Sequence, residues 1–277
     1  MNRMVSLVIG EKLVERAMPC PEEQILPGMK WGDPWHLFTP AYWLAQAWMA
    51  ELDTKPSSCY RARDGVVEEL VFCLLGGYGI TAEMATAAYE RCGGAGLVAA
   101  RETRQEAWVS VLNAPLVVGG RHLRYRYPNQ KSKYLASAMR IVRQEPLRLD
   151  SGLGLRDQLL GMPGVGYKTA SWVARNVLDC DDVAILDIHL IRAGKLCGLF
   201  KDSDRVEKDY CGMEARFLLF CQAMSLRPAV LDCLIWDGMR DAGQLPIRAL
   251  GRLRIPQANR KKSASGEPTP QQCRLEV

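Results

Sequence analysis

The amino-acid sequence predicts an all-α protein built from two helical lobes. Apolar residues make up 48% of the 277 positions and charged residues 24%, a balance that is typical of a folded globular chain. Apolar positions recur at intervals of three and four residues in most segments, which is the spacing of one helix face. A brief alternation at residues 125–127 is too short to predict a sheet.

Capping residues and glycines mark the ends of the predicted helices. A threonine followed by proline predicts a helix over residues 40–52, because the hydroxyl caps the first turn and proline fits the first helical position. Thr81 starts another helix, which two glycines end. Pro115, Gly119 and Gly120 predict a loop. The remaining helices are predicted over residues 64–76, 101–113, 129–144, 153–161, 167–178, 188–199, 206–225 and 228–242.

The order of these segments predicts how the chain divides. We expect residues 61–182 to form one helical lobe and residues 183–255 to form the second. Residues 1–60 would pack on the second lobe, although the first 35 residues carry no pattern that assigns an element. The polar segment 256–277 contains proline, serine and glycine, a composition that predicts disorder.

The ten cysteines form no CxxC pair, no zinc-binding spacing and no cluster run, so we expect neither a metal site nor a cofactor. The N-terminal apolar run stops at Glu11 and Lys12, too early for a secretory signal. No stretch reaches the roughly 20 apolar residues of a membrane span. We therefore expect a cytoplasmic protein that makes no membrane contact.

Two predicted helices flank a short glycine-containing turn at residues 162–166. Glycine allows positive φ angles and close approach of another molecule, and Gly164 and Gly166 stand at alternating positions. The amides of Gly164, Val165 and Gly166 and the N-terminus of the next helix would then point outward together and form an anion site. On DNA such a site would hold a backbone phosphate without reading the base sequence. Most turns of this type, however, are only turns.

The string MPGVGYKTASWVARN, followed by VAILDIHLIR, resembles the helix–hairpin–helix DNA glycosylase superfamily. In that superfamily the hairpin ends in a Gly-x-Lys step, and an aspartate follows about nineteen positions later. Here Asp187 follows Lys168 by nineteen positions. The sequence is most similar to archaeal-type 8-oxoguanine DNA glycosylase/AP lyases, over about residues 64–243, whereas the first 60 residues match nothing comparable.

This resemblance implies that Lys168 is the nucleophile and Asp187 the catalytic carboxylate. Breaking an N-glycosidic bond builds positive charge on the sugar, which a nearby carboxylate stabilises. A neutral amine that attacks C1′ displaces the base, and the resulting Schiff base permits β-elimination of the 3′ phosphate. We expect the helix N-terminus and burial in a cleft to favour the neutral amine. As alternatives, Asp187 is only a helix cap and Lys168 only a phosphate contact.

A flipped-out base needs aromatic side chains on which to stack. Trp172 lies one helical turn after Lys168, and Trp236 lies where archaeal-type members have pocket residues. Core packing is the alternative for both tryptophans. Members of the superfamily fill the vacated position in the duplex with a wedge residue, usually asparagine or glutamine. This sequence instead has GGYGITAE, which makes Tyr78 the candidate wedge and leaves room for a different lesion.

Basic residues cluster between positions 121 and 143, where seven lysines and arginines occur without any acidic residue. A cluster of this kind, with tyrosines interleaved, is a candidate phosphate-binding face. A solvated helix surface is the alternative. The residues we select from it as phosphate contacts are Arg124, Arg126, Lys131 and Lys133.

Together these features predict a helix–hairpin–helix protein with a DNA-binding cleft between its lobes. The function predicted first is a DNA glycosylase with AP lyase activity that repairs DNA damage by excising a damaged purine, with 8-oxoguanine as the leading candidate. Its partner would be double-stranded DNA with a flipped-out modified base, and the protein would act as a monomer. Two alternatives stay open: another modified base, for instance in phage DNA, and a non-catalytic DNA-binding module that needs neither Lys168 nor Asp187.

Overall fold

A computed structural model describes residues 3–52, 63, 65–77 and 79–253. Helices dominate this part of the chain, and the predicted helical class is confirmed. The helices are α1 (Pro40–Leu52), α2 (Val66–Leu75), α3 (Ala82–Gly94), α4 (Gln105–Asn113), α5 (Pro128–Gln144), α6 (Gly152–Leu160), α7 (Tyr167–Leu178), α8 (Ile188–Cys197), α9 (Val206–Met224), α10 (Pro228–Asp241) and α11 (Leu245–Leu253).

Three small antiparallel sheets of two strands each add to the predicted helices. Their strands are β1 (Arg3–Ile9) with β2 (Lys12–Met18), β3 (Gln24–Leu26) with β4 (Met29–Lys30), and β5 (Leu116–Val118) with β6 (Arg121–Leu123). The expectation of no strands was wrong. The strands of the first hairpin mix apolar and charged side chains on both faces, because most of the hairpin is exposed, and this hides the alternation.

Local signals placed the helix ends well. The Thr39 hydroxyl accepts a hydrogen bond from the backbone N–H of Tyr42 at 3.1 Å, and Thr81 caps α3 in the same way. The predicted loop at residues 115–120 is instead the hairpin β5–β6, whose turn uses positive φ angles at Gly119 and Gly120. The final helix, α11, was not predicted.

The apolar side chains form two clusters. Val183 belongs to the first cluster and the next residue, Ala184, to the second. The first gathers residues of α2–α7, among them the fully buried Trp108. The second combines α8–α10 with N-terminal residues, among them Trp43 from α1 and Met18 from β2. The lobe boundaries predicted at residues 182 and 183 stay a prediction.

The segment that crosses from the first cluster to the second is held by side chains of α9. The Tyr210 hydroxyl donates to the carbonyl of Ala184 at 2.7 Å and accepts from the N–H of Leu186 at 3.1 Å. Glu214 accepts from the N–H of Ala184 at 2.8 Å and pairs with Arg156 of α6. The start of α8 is therefore fixed in relation to α6 and α9.

Within the described ranges, no single helix is both long and apolar enough to cross a membrane. The consecutive helices α9 and α10 reach that length and composition only as a pair, across a bend of 100°.

The buried ion pair gives a first prediction. In a Glu214→Gln variant, Arg156 stays buried without its counter-charge, so we expect the free energy of unfolding to fall by about 3–5 kcal/mol. Urea unfolding followed by circular dichroism measures this change.

The control is Asp157→Asn, which removes the other carboxylate near Arg156. Asp157 is 66% exposed, so water screens its charge and the loss should stay below about 1 kcal/mol. Equal losses in the two variants would contradict the buried pair as a major stabilising contact.

Candidate active site

The turn between α6 and α7 has the shape that the sequence predicts, but only one of its two glycines needs to be glycine. Gly164 has φ +83°, and a Cβ atom there would lie 2.3 Å from the ring of Tyr134. Gly166 has an ordinary φ of −104°, and no atom lies within 4 Å of the Cβ it lacks. Gly164 therefore shapes the turn, whereas Gly166 leaves space in front of α7.

The amide groups of the turn are not all available to a ligand. The Val165 N–H donates to the carbonyl of Met162 at 3.1 Å, so this predicted phosphate donor is used inside the hairpin. Gly166 is the N-cap of α7, and no side chain of the described residues caps that helix. The first-turn amides of α7 therefore retain the positive end of the helix for an anion.

Lys168 lies in the first turn of α7, and its side chain is exposed. It makes no hydrogen bond or ion pair with any other residue that the structure describes. We expected burial in a cleft, and the structure does not bear this out. Its charge nevertheless acts on two neighbours. Burial and the charge of Glu69 raise the pKa of Cys73, and the Lys168 charge partly offsets this rise. Burial lowers the pKa of His189, and the Lys168 charge adds to this effect.

Asp187 is the N-cap of α8, and its carboxylate accepts the N–H of Leu190 at 2.8 Å. It is 7% exposed, and it also lines a cleft with about 370 Å³ of empty space. The same carboxylate is thus both a helix cap and part of a cleft wall. The residues around this cleft are Trp172, Arg175, Ile185, Asp187, Asp232, Cys233, Trp236 and Asp237.

The structure brings the two predicted pocket tryptophans to this one cleft. The indole N–H of Trp172, on α7, donates to Glu69 of α2 at 3.1 Å. The guanidinium of Arg240 lies 4.5 Å from the centre of the Trp236 ring, on α10. The centres of the Trp236 and His189 rings are 6.0 Å apart, and their planes meet at 67°. Both tryptophans are half-buried, and each is held by a neighbour.

His189 interacts electrostatically with both candidate catalytic groups, Asp187 and Lys168. Burial lowers its pKa, and although Asp187 opposes this effect, Arg192, Lys168 and Arg240 lower the pKa further. Its Nδ1 atom is buried and has no hydrogen-bond partner in the described part of the chain. Burial and the neighbouring cations therefore favour the neutral imidazole, whereas Asp187 favours the charged form.

The predicted basic face is only partly available for phosphates. Arg124 and Lys133 are exposed. Arg126 is also exposed, and its guanidinium stacks on the ring of the neighbouring tyrosine. The ammonium of Lys131 instead donates to the carbonyl of Gly76 at 2.6 Å, and burial lowers its pKa. Lys131 therefore closes the C-terminus of α2, and its role as a phosphate contact stays a prediction.

Tyr78, the predicted wedge, lies outside the described residues. Sequence reasoning also missed Arg175 and Asp232, which line the cleft, and Glu69, which bonds to Trp172 behind it; the first two had a usable signal. Arg175 follows Trp172 by three positions and Asp232 precedes Trp236 by four, so helical spacing places them beside the tryptophans. The third, Glu69, is a charge in an otherwise apolar segment.

The helical fold, the glycine hairpin and the cleft that follows it define a helix–hairpin–helix protein of the glycosylase type. A family model described as 8-oxoguanine DNA glycosylase matches residues 57–226, which are 170 of the 277 residues. The chain therefore belongs to the 8-oxoguanine DNA glycosylase family.

Individual relatives agree with this assignment over part of their length. The chain is 30% identical over 122 residues to the 8-oxoguanine DNA glycosylase/AP lyases of Saccharolobus islandicus and Saccharolobus solfataricus. The match covers 41% of this chain, and the chain spans 58% of the length of these curated relatives.

Two solved structures share the fold. One is the 8-oxoguanine DNA glycosylase of Thermotoga maritima, with a TM-score of 0.50, 24% identity, and coverage of 62% of this chain and 77% of that one. The other is the Methanocaldococcus jannaschii 8-oxoguanine glycosylase/lyase in complex with a 15mer DNA containing 8-oxoguanine. Its TM-score is 0.51 at 21% identity, with coverage of 70% and 94%.

The hairpin gives a second prediction. A Gly164→Ala variant would place a side chain at φ +83° and against the Tyr134 ring, so we expect a loss of about 2 kcal/mol or more in the free energy of unfolding. Urea or thermal unfolding measures it.

Gly166→Ala is the matched control two positions away. Its φ is ordinary and its surroundings are open, so its free energy of unfolding should change by no more than about 0.5 kcal/mol. If Gly164→Ala were as stable as this control, the described packing of the hairpin on α5 would be wrong.

Proposed function

We propose that this protein is a DNA glycosylase with AP lyase activity, an enzyme that removes a damaged purine and then cuts the strand at the abasic site. 8-Oxoguanine is the substrate that the family supports first. One observation carries the proposal: an exposed lysine starts α7 immediately after the glycine hairpin, and the carboxylate that starts α8 faces a cleft with two tryptophans.

The hairpin supports binding of double-stranded DNA by its backbone. A phosphate at Gly166 would meet the uncapped first turn of α7, where amide N–H groups and the helix dipole both favour an anion. The exposed side chains of Arg124, Arg126 and Lys133 would extend this contact along the strand. Such contacts position the protein and leave base selection to the cleft.

The cleft supports recognition of one extruded base. Trp172 and Trp236 would stack on it, while the polar groups around them would bond to its edge. Arg175 and Asp232 pair with each other and Asp237 pairs with Arg240, so the base edge would meet the donors and acceptors that these pairs leave over. A purine edge that carries both donors and acceptors therefore matches this wall.

The two candidate catalytic groups support the following chemistry. The neutral Lys168 amine attacks C1′ as the bond from C1′ to the base breaks, and Asp187 stabilises the positive charge on the sugar. The base leaves with the bonding electrons and takes up a proton. Ring opening gives a Schiff base, loss of a C2′ proton expels the 3′ phosphate, and water then frees the lysine. Because Lys168 is exposed in the free protein, the DNA would have to exclude water from it.

A second candidate substrate is another modified base, such as one in phage DNA. One observation favours it: α1 packs against α10, which carries Trp236, and both helices lie outside the family match at residues 57–226. One wall of the cleft is thus built from residues that the family match does not cover.

Borohydride trapping tests the activity. The protein is mixed with duplexes that carry 8-oxoguanine, an abasic site or other modified bases, and sodium borohydride reduces any Schiff base to a stable adduct. We expect an adduct with the wild-type protein, none with Lys168→Gln, and base release slowed by about 100-fold or more in Asp187→Asn.

Lys12→Gln, in the exposed N-terminal hairpin, is the control for loss of one positive charge and should trap as well as the wild type. Tight duplex binding with no adduct and no base release on any lesion would instead favour a non-catalytic DNA-binding module. The identity of the released base separates the two candidate substrates.

A further inference from the structure

A buried carboxylate lies directly behind one wall of the cleft. Glu69 of α2 is 2% exposed. Its oxygens accept from the Trp172 indole at 3.1 Å, from the Asn176 amide at 2.7 Å and from the backbone N–H of Arg63 at 2.9 Å. Burial of a carboxylate is costly unless its oxygens are bonded, and here these donors meet that need without a salt bridge in the described part of the chain.

The hydrogen bonds continue from Glu69 across the floor of the cleft. The Asn176 side-chain oxygen accepts from the Arg175 guanidinium at 3.1 and 3.2 Å. The same guanidinium donates to Asp232 of α10 at 2.5 Å, in an ion pair whose members are both less than a tenth exposed. One connected network therefore joins α2, α7 and α10.

This network links the two helices that carry the pocket tryptophans. Trp172 lies on α7 and is bonded to the network directly, while Trp236 follows Asp232 by one turn of α10. The network also bridges the two apolar clusters, since α7 belongs to the first and α10 to the second. The distance between the two tryptophan-bearing walls thus depends on these polar contacts.

We propose that Glu69 is a positioning residue for base excision: it fixes the Trp172 ring directly and, through Asn176, Arg175 and Asp232, sets the width of the base cleft. This inference rests on the proposed function. A glutamine at this position would replace one of the two accepting oxygens with an NH2 group, which donates, so it could not accept from all three donors in the same way.

The proposed reaction has two parts that differ in their need for the cleft. Excision requires a base held between the walls. Strand cleavage at a preformed abasic site needs Lys168, Asp187 and the phosphate contacts of the hairpin. No base is present at such a site, so the cleft walls have nothing to bind. A residue that acts only through the cleft should therefore affect the first rate and spare the second.

The test compares Glu69→Gln with the wild type in single-turnover reactions on an 8-oxoguanine duplex and on an abasic duplex. A misplacement of about 1 Å costs up to about 100-fold in rate, so we expect excision to fall by at least about tenfold. The rate of strand cleavage at the abasic site should differ from the wild-type rate by less than about twofold.

Glu68→Gln is the matched control, since it makes the same change one position earlier on α2. Glu68 is half-buried and has no hydrogen bond to the described residues, so both rates should equal those of the wild type. Thermal unfolding shows whether Glu69→Gln is folded. If it is not, Asn176→Ala decides, because it cuts the network while keeping the bond between Glu69 and Trp172.

If the folded variant, Glu69→Gln or else Asn176→Ala, excises the base at the wild-type rate, the positioning role of Glu69 is overturned. A parallel fall in excision and abasic-site cleavage would also overturn it, because that result indicates a general structural role. A wild-type protein with neither activity would instead overturn the proposed function itself and, with it, this inference. Selective loss of excision supports both.

Discussion

The segment between the two apolar clusters is the constraint on which the rest of the site depends. Lys168 belongs to α7 in the first cluster, and Asp187 begins α8 in the second. Their relative position therefore depends on the short segment that joins these two helices. Tyr210 and Glu214 hold the backbone of Ala184 and Leu186 on both its donor and acceptor sides. Arg156 then ties this arrangement to α6, the helix that leads into the hairpin.

Local sequence signals predicted the elements that such signals control. The helix Tyr167–Leu178 and the cap at Asp187 follow from a glycine turn, an aspartate and apolar spacing within a few residues. The first hairpin was missed because its exposed strands bury only a few side chains, such as Val5 and Met18, and show no regular alternation.

The contacts around the cleft could not be predicted in the same way. Glu69 bonds to residues 103 and 107 positions later in the chain, and no local pattern specifies such a pairing. The exposure of Lys168 and the hydrogen bond from Lys131 to the Gly76 carbonyl also depend on how the helices pack. Residue types and their spacing were enough to predict the class of chemistry. Which charged side chains face solvent depends on the packing of the helices, which the sequence patterns do not predict.

The contact between α1 and α10 has a consequence for how this cleft could diverge. A Cβ atom at Gly238 would lie 3.2 Å from the Trp43 ring, so α10 rests on that ring with no room between them. Gly238 follows Trp236 by two positions, and both α10 and Trp43 lie outside the family match. Replacement of the Trp43 ring would therefore shift this wall of the cleft while every side chain that lines the cleft stays the same.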